Sequence, residues 1–425
     1  MSKSCYIYIF LITITTNALF TFLFPRPILM TDASEYNSNA LNIIQGNRIE
    51  VLHDGIHQLK PPLYPAFLAG IYYLFGHSLW NVYIVQIFLT GIISIFISYL
   101  TFKIFCDKRA ACLSGIFFSF HLQTLIHSGI LYAEILFSFC LILFTFSVYH
   151  ALLNLKAKWF ILSGFLIGIT TMVKTSAQFL PLFIIPVIFL IHPRRKLKGL
   201  LMTILFTVAF LMTMTPWIAR NYRYYDSFVF CSLQGGMNLY ISNYSLEIPT
   251  GEKRLLSMTD ELAKMSINEN ISWVDKDRIF YQEAIKMILK HPFKMVYLSF
   301  FKSINFFTGL WLQAYIIHIG YPEGSVISYF TNNLLVWIVA GMNTLLLLLA
   351  IGNFIFYREK SEMISSTIFL TIIGYFTLIH TISACSARYS LPVYSYIIIF
   401  AANSLSKTLR RLKLIRYFEQ TKFNF

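Results

Sequence analysis

Charge is scarce in this chain. Only 12% of its 425 residues are Asp, Glu, Lys or Arg, against about 25% in soluble domains. Acidic residues are scarcer still, 19 against 34 basic ones. Metal-ligand spacing is missing: the six cysteines stand apart at 5, 106, 112, 140, 231 and 385, with no CxxC and no Cys/His pattern. That argues against a zinc module or a small disulfide scaffold. The cysteines read as packing residues, with a Cys231–Cys385 bridge left open. Internal repeats and low-complexity linkers are absent too. No A-x-A site follows the first apolar stretch, so residues 5–24 are expected to stay as a span.

Apolar residues fill the space that charge leaves. They make up 57% of the chain, aromatics alone 17%, and the mean hydropathy is +0.64. Such a chain is polytopic in a membrane. Lipid allows only spans that satisfy their own backbone, and unalternated runs of about 17–25 residues select helices over a barrel. The fold class is therefore all-α, with about ten transmembrane helices. The apolar segments fall near 5–25, 80–105, 109–127, 130–152, 158–174, 178–192, 198–219, 331–356, 363–383 and 389–407.

The net charge of +15 reflects topology rather than a nucleic-acid partner. Lys103, Lys108 and Arg109, then Lys156 and Lys158, then HPRRKLKG (192–199) follow even-numbered spans. By the excess of Lys and Arg in cytoplasmic loops, that side is cytoplasmic. The tail KTLRRLKLIR (407–416) belongs there as well. Residues 293–320 are then an interfacial helix, since an eleventh span would carry the basic tail outside; the alternative keeps the span and exports the tail. The chain reads as one integral-membrane unit, 1–425, with extracytoplasmic segments at 26–79 and 217–330. The first should hold a polar helix at 32–46 and a short interfacial helix at 61–76. The second should hold a helix at 274–290.

The rare charges gather at the predicted outer face. TDASEYNSN puts Asp32 and Glu35 three residues apart, on one face of a helix. Capping of that helix explains the pair structurally. Lys60 opens LKPPLYP, Glu134 sits just inside the fourth span in HSGILYAEILF, Arg220 and Arg223 end the seventh in PWIARNYRYYD, and Arg388 precedes the last in SARYSLP. An ionisable group inside an apolar helix is a functional hypothesis by default. Any single arginine here could be an interfacial anchor. Together the set suits a lipid phosphate carrying a sugar: cations for the phosphate, carboxylates to activate a hydroxyl. Asp32, Glu35 and Glu134 are the catalytic candidates. Tyr36, Lys60, Tyr64, Arg220, Arg223, Arg388 and Tyr389 are the substrate-binding candidates.

TDASEYNSNALNIIQG, KPPLYPAFLAGIYYLFG, SGILYAEILF, PWIARNYRYYDSFV with QGGMNLYISN, and ARYSLPVY occur in this order. The set resembles bacterial GT-C glycosyltransferases of the protein mannosyltransferase-like group, which includes the lipid A aminoarabinose transferase. It covers about 1–245 and 380–405. The resemblance implies a polyprenyl-phosphate sugar donor, inverting transfer at the periplasmic face of a bacterial inner membrane, and a glycolipid, polysaccharide or protein acceptor. It implies that Asp32 is the base or acceptor-positioning group. It implies donor-phosphate contacts from Lys60, from Arg220 or Arg223, and from Arg388, and a second acidic position at Glu134. Two positions depart from the pattern. Ala33 follows Asp32 where many relatives have Glu, and Leu59 stands where the aminoarabinose enzyme has an acidic metal ligand. No cofactor and no metal is expected. The competing reading is a transporter or flippase of a lipid-linked or anionic solute, which would favour repeats and charges at mid-bilayer.

Overall fold

A computed structural model describes residues 1–24, 32–47, 51–53, 56–58, 60–246, 271–309, 326–357 and 363–412. Thr31, Leu59, residues 247–270 and 310–325, and the tail beyond 412 lie outside the described residues.

All ten apolar segments are helical. The first is α1 (Lys3–Leu23), and the amphipathic α2 (Asp32–Ile44) follows it. A two-stranded antiparallel hairpin pairs Val51–His53 with Ile56–Gln58, where the sequence suggested only a loop. Then come α3 (Leu63–Phe75), α4 (Leu79–Phe105), α5 (Lys108–Ser119), α6 (Leu122–Ser128), α7 (Glu134–Asn154), α8 (Ala157–Val173), α9 (Leu180–Ile191) and α10 (Lys196–Tyr225). The remaining described helices are α11 (Gly235–Asn243), α12 (Trp273–Lys290), α13 (Pro292–Thr308), α14 (Val326–Phe356), α15 (Met363–Ile382) and α16 (Leu391–Arg411). Five of the described helices are long and apolar enough to span alone; α5 and α6 qualify as a pair, bent by 50°. The expected third span is therefore a broken helix.

Local chemistry sets the breaks. After α4 the backbone turns through Cys106 at φ 51, and Asp107 caps α5 by accepting from the Arg109 amide at 2.9 Å. Leu155 turns the chain between α7 and α8 at φ 45. Glycine lets α8 lie tight on α10: a Cβ at Gly164 would meet the Phe206 carbonyl at 2.2 Å, and one at Gly168 would meet Thr213 at 2.6 Å. Small residues at such crossings replace the hydrophobic drive that lipid does not supply.

The core forms around α16. Every residue from Leu391 to Ser404 is buried. Its C-terminal end is fixed by Asp107, which pairs with Arg410 at 2.8 Å and accepts from Ser406 at 2.7 Å. Its other end carries Arg388. At 1.5 Å per residue the two lie about 33 Å apart, the thickness of a bilayer core. The protein therefore has one ionic knot at each end of a membrane-length helix.

At the Arg388 end, α13 runs for 17 residues and stops at Gly309, φ 73. Phe293, Val296, Tyr297 and Phe300 form one exposed apolar face, while Met295, Lys302, Asn305 and Phe306 turn inward. That pattern suits a helix lying in the headgroup region. Cys231 and Cys385 are both free thiols.

Candidate functional site

Helix ends build the site. Asp32 and Glu35 lie in the first turn of α2, and Glu134 opens α7. Carboxylates are favoured there by the unpaired amides and the helix dipole. Lys60 precedes the Pro61–Pro62 step into α3, which starts at Leu63. Lys174 ends α8 in an extended conformation, and Arg388 sits in the 3-10 turn Ala387–Ser390 that leads into α16.

These ends converge on one cluster. Lys60 Nζ lies 2.8 Å from Asp32 Oδ1 and also contacts Glu35 Oε2. The other Asp32 oxygen, Oδ2, accepts from Arg388 Nη2 at 2.5 Å. Arg388 Nε then lies 3.7 Å from Glu134 Oε1, which also accepts from Lys174 Nζ at 2.9 Å. Three carboxylates thus face three cations.

Aromatic rings wall the cluster. Lys60 stands over Tyr36 at 4.7 Å and Lys174 over Tyr389 at 4.0 Å. Arg388 lies between Tyr132 at 4.8 Å and Tyr389 at 5.0 Å. Such contacts hold cations in a dry site and orient them. Tyr64 packs edge-on against Tyr36 at 4.8 Å and donates to Gln86.

Exposure separates the acids. Asp32 keeps 28% of its side chain accessible, whereas Glu35 and Glu134 keep 5% and 4%. Only Asp32 combines bonds to two cations with an open edge. Burial pushes its carboxyl up, but Arg388 and Lys60 outweigh burial and hold it well below the usual carboxylate range. Burial, and then the negative charge of Asp32, push the Tyr36 phenol well above its ordinary value, so it stays a neutral donor.

Eight of the ten candidates therefore meet: Asp32, Glu35, Tyr36, Lys60, Tyr64, Glu134, Arg388 and Tyr389. Arg220 and Arg223 are not among the cations of the cluster's described ion pairs. The Arg220 guanidinium lies over Trp217 at 4.9 Å and Tyr224 at 5.0 Å and donates to Asn221, while Arg223 is exposed on the last turn of α10. Sequence reasoning missed Lys174. Its signal was present: an ammonium closing an apolar helix at the outer face by parity. Among the described residues no group of three or more His, Cys, Asp or Glu is arranged to hold a metal ion.

The chain is also similar to known proteins. Residues 59–219, which include Lys60, Glu134 and Lys174, match the family described as dolichyl-phosphate-mannose-protein mannosyltransferase. No curated protein sequence matches the chain. An archaeal oligosaccharyltransferase from Archaeoglobus fulgidus, solved with an inhibitory peptide and a dolichol-phosphate, superposes on 99% of this chain with a TM-score of 0.55 at 12% identity. This chain spans about half of that protein, 52%. The enzyme ArnT from Cupriavidus metallidurans, bound to undecaprenyl phosphate, aligns over 95% of this chain and 78% of its own, at 13% identity and a TM-score of 0.39. Arabinosyltransferase EmbB from Mycobacterium smegmatis aligns over 95% and 41%, at 12% identity and a TM-score of 0.38. The resemblance carried by the sequence motifs thus recurs in the family match over residues 59–219, and the chain is a polytopic, helical membrane protein with the fold of the archaeal enzyme's matching half.

Proposed function

We propose that this protein moves a sugar from a polyprenyl-phosphate donor to an acceptor hydroxyl or phosphate on the outer face of a bacterial inner membrane, with inversion at the anomeric carbon. The observation that carries the reading is Asp32, bridging Lys60 and Arg388 at the end of the bundle with one edge open. A lipid phosphate sits at headgroup depth, with its tail in the bilayer and its sugar in water. Lys60 and Arg388 are within reach of such a phosphate, and helices α2, α7 and α16 begin beside it, which favours an anion. Dolichol-phosphate in the archaeal relative agrees with this donor class.

In the reaction, the acceptor oxygen attacks the anomeric carbon opposite the phosphate. One C–O bond forms and the bond from that carbon to the phosphate oxygen breaks. The acceptor proton passes to Asp32, and the polyprenyl phosphate leaves against Lys60 and Arg388. Asp32 is a weak base while both cations hold it. A phosphate that draws them away raises its basicity when the substrate is in place. Glu134, held by Lys174, supports Arg388, and Glu35 keeps Lys60 beside Asp32. Tyr36 and Tyr389 flank Lys60 and Arg388, and buried Tyr64 backs Tyr36. Arg220 and Arg223 serve as interfacial anchors. The acceptor is a glycolipid, polysaccharide or protein.

The transporter alternative needs charges within the bilayer along a path, whereas this cluster sits at one end of α16. The test is mass spectrometry of envelope glycans in a deletion strain complemented with wild type or Asp32→Asn. Loss of one sugar from an envelope component, restored by wild type alone, supports transfer. Restoration by Asp32→Asn contradicts it.

A further inference from the structure

Two glutamines are buried among the spans, Gln86 at 0% and Gln123 at 1% exposure. Burying an amide in a membrane bundle is costly unless it is bonded. Both are bonded: Gln86 reaches the end of the broken third span, and Gln123 reaches out from it. Gln86 donates to the carbonyls of Ser128 and Ile130, at 3.0 and 2.9 Å, and accepts from Tyr64 at 3.0 Å. Tyr64 in turn supports Tyr36 beneath Lys60. Gln123, on α6, donates to the carbonyl of Ala387 at 2.5 Å and accepts from Asn343 at 3.3 Å. Ala387 immediately precedes Arg388.

Gln123 is itself fixed from behind. The Asn343 carbonyl oxygen Oδ1 accepts from His121 Nε2 at 3.1 Å, and His121 Nδ1 accepts from the Thr124 hydroxyl at 2.8 Å. Tyr394 stacks on His121 at 4.9 Å and donates to the Asn343 backbone carbonyl at 3.3 Å. The methyl of Ala387 packs with Ile126 and Val339 in a small separate cluster. The residue before Arg388 is thus held on its carbonyl by an amide chain and on its side chain by packing. Gln123 and Ile126 both lie on α6, which is bent by 50° from α5.

We propose that Gln123, seated on Asn343, is a positioning residue for Arg388: by fixing the Ala387 carbonyl it sets where the guanidinium meets Asp32 and the lipid phosphate. The claim rests on the donor reading given above for Arg388. Buried amides also glue membrane helices without any role at a site. The two roles separate by coupling. A glue residue acts independently of Arg388, whereas a positioning residue loses its effect once there is no guanidinium to position.

The experiment measures binding of undecaprenyl phosphate to the purified full-length protein in detergent by native mass spectrometry. The variants are Gln123→Met, Arg388→Gln and the double substitution. Each single change is expected to weaken binding about tenfold, the range for groups coupled in one network, and the double variant should bind like Arg388→Gln alone. Unchanged affinity in Gln123→Met, or losses that multiply in the double variant, overturn the positioning role. Unchanged affinity in Arg388→Gln overturns the phosphate reading, and this inference with it. Asn343→Ala removes the seat but keeps the Gln123 donor. It runs the same cycle, with the same expected outcomes, should Gln123→Met fail to fold.

Discussion

Asp32 Oδ2 lies 2.5 Å from Arg388 Nη2 across 356 positions of sequence. That contact closes the bundle at one end: the first extramembrane helix meets the turn into α16, buried along its first fourteen residues. It also places the most accessible acid of the cluster against the cation best suited to a phosphate.

Replacing Asp32 by Asn keeps the shape and removes the proton acceptor. Turnover should fall by about 10²–10⁴, the usual contribution of a general base. The variant should still reach the membrane at wild-type abundance, which immunoblotting of membrane fractions checks.

Lys60→Ala and Arg388→Ala should act on the donor. Both are expected to raise the apparent KM for the polyprenyl-phosphate substrate, more than they change the KM for the acceptor. Initial rates across a donor titration check this, and unchanged donor KM in both removes their assigned role.

Lys174→Met leaves Glu134 buried with one cation 3.7 Å away. Breaking a buried pair from one side costs about 3–5 kcal/mol. The variant should melt earlier in detergent, and the additional change Glu134→Gln should restore much of the loss. Thermal unfolding of the single and double variants measures it.

The pH dependence follows from the depressed Asp32 carboxyl. Its unfolded value is about 3.9, and its folded value lies below that. The stabilisation from its two ion pairs is therefore fully present above the unfolded value and is lost as pH falls through the folded one. Between pH 8 and 5 it should not change. Melting temperatures in that window should be flat with respect to this group, and the stability gap between wild type and Asp32→Asn should narrow only at stronger acid.

Gly164→Ala tests the packing of α8 on α10. Its added methyl meets a backbone carbonyl at 2.2 Å, so the helices must separate. A loss of about 1–3 kcal/mol is expected from such overpacking, read as a lower melting temperature with little change in donor KM.

Much of this was legible in sequence because membranes make charge conspicuous. Asp32, Lys60, Glu134 and Arg388 stood out against apolar flanks, and span parity sent them to one face. The ten apolar segments were equally plain, since lipid demands length and hydropathy. The break at His121 was hidden: 109–127 reads as one apolar run, and the polar partners that support the bend, Asn343 and Tyr394, lie more than 200 positions away. Lys174 was passed over because one lysine ending a span looks like an ordinary anchor. Its 2.9 Å contact with Glu134 and its seat over Tyr389 set it apart. Parity gave Arg220 and Arg223 the same face as the cluster but could not tell that Arg220 would lie over Trp217 and Tyr224.

The most direct measurement is release of polyprenyl phosphate from a synthetic polyprenyl-phosphate sugar. The purified protein is reconstituted with envelope extract of the deletion strain as acceptor. Wild type should release the lipid phosphate and transfer its sugar, and Asp32→Asn should do neither. Equal release by both proteins would contradict the account, as would movement of intact donor across the bilayer with no release at all.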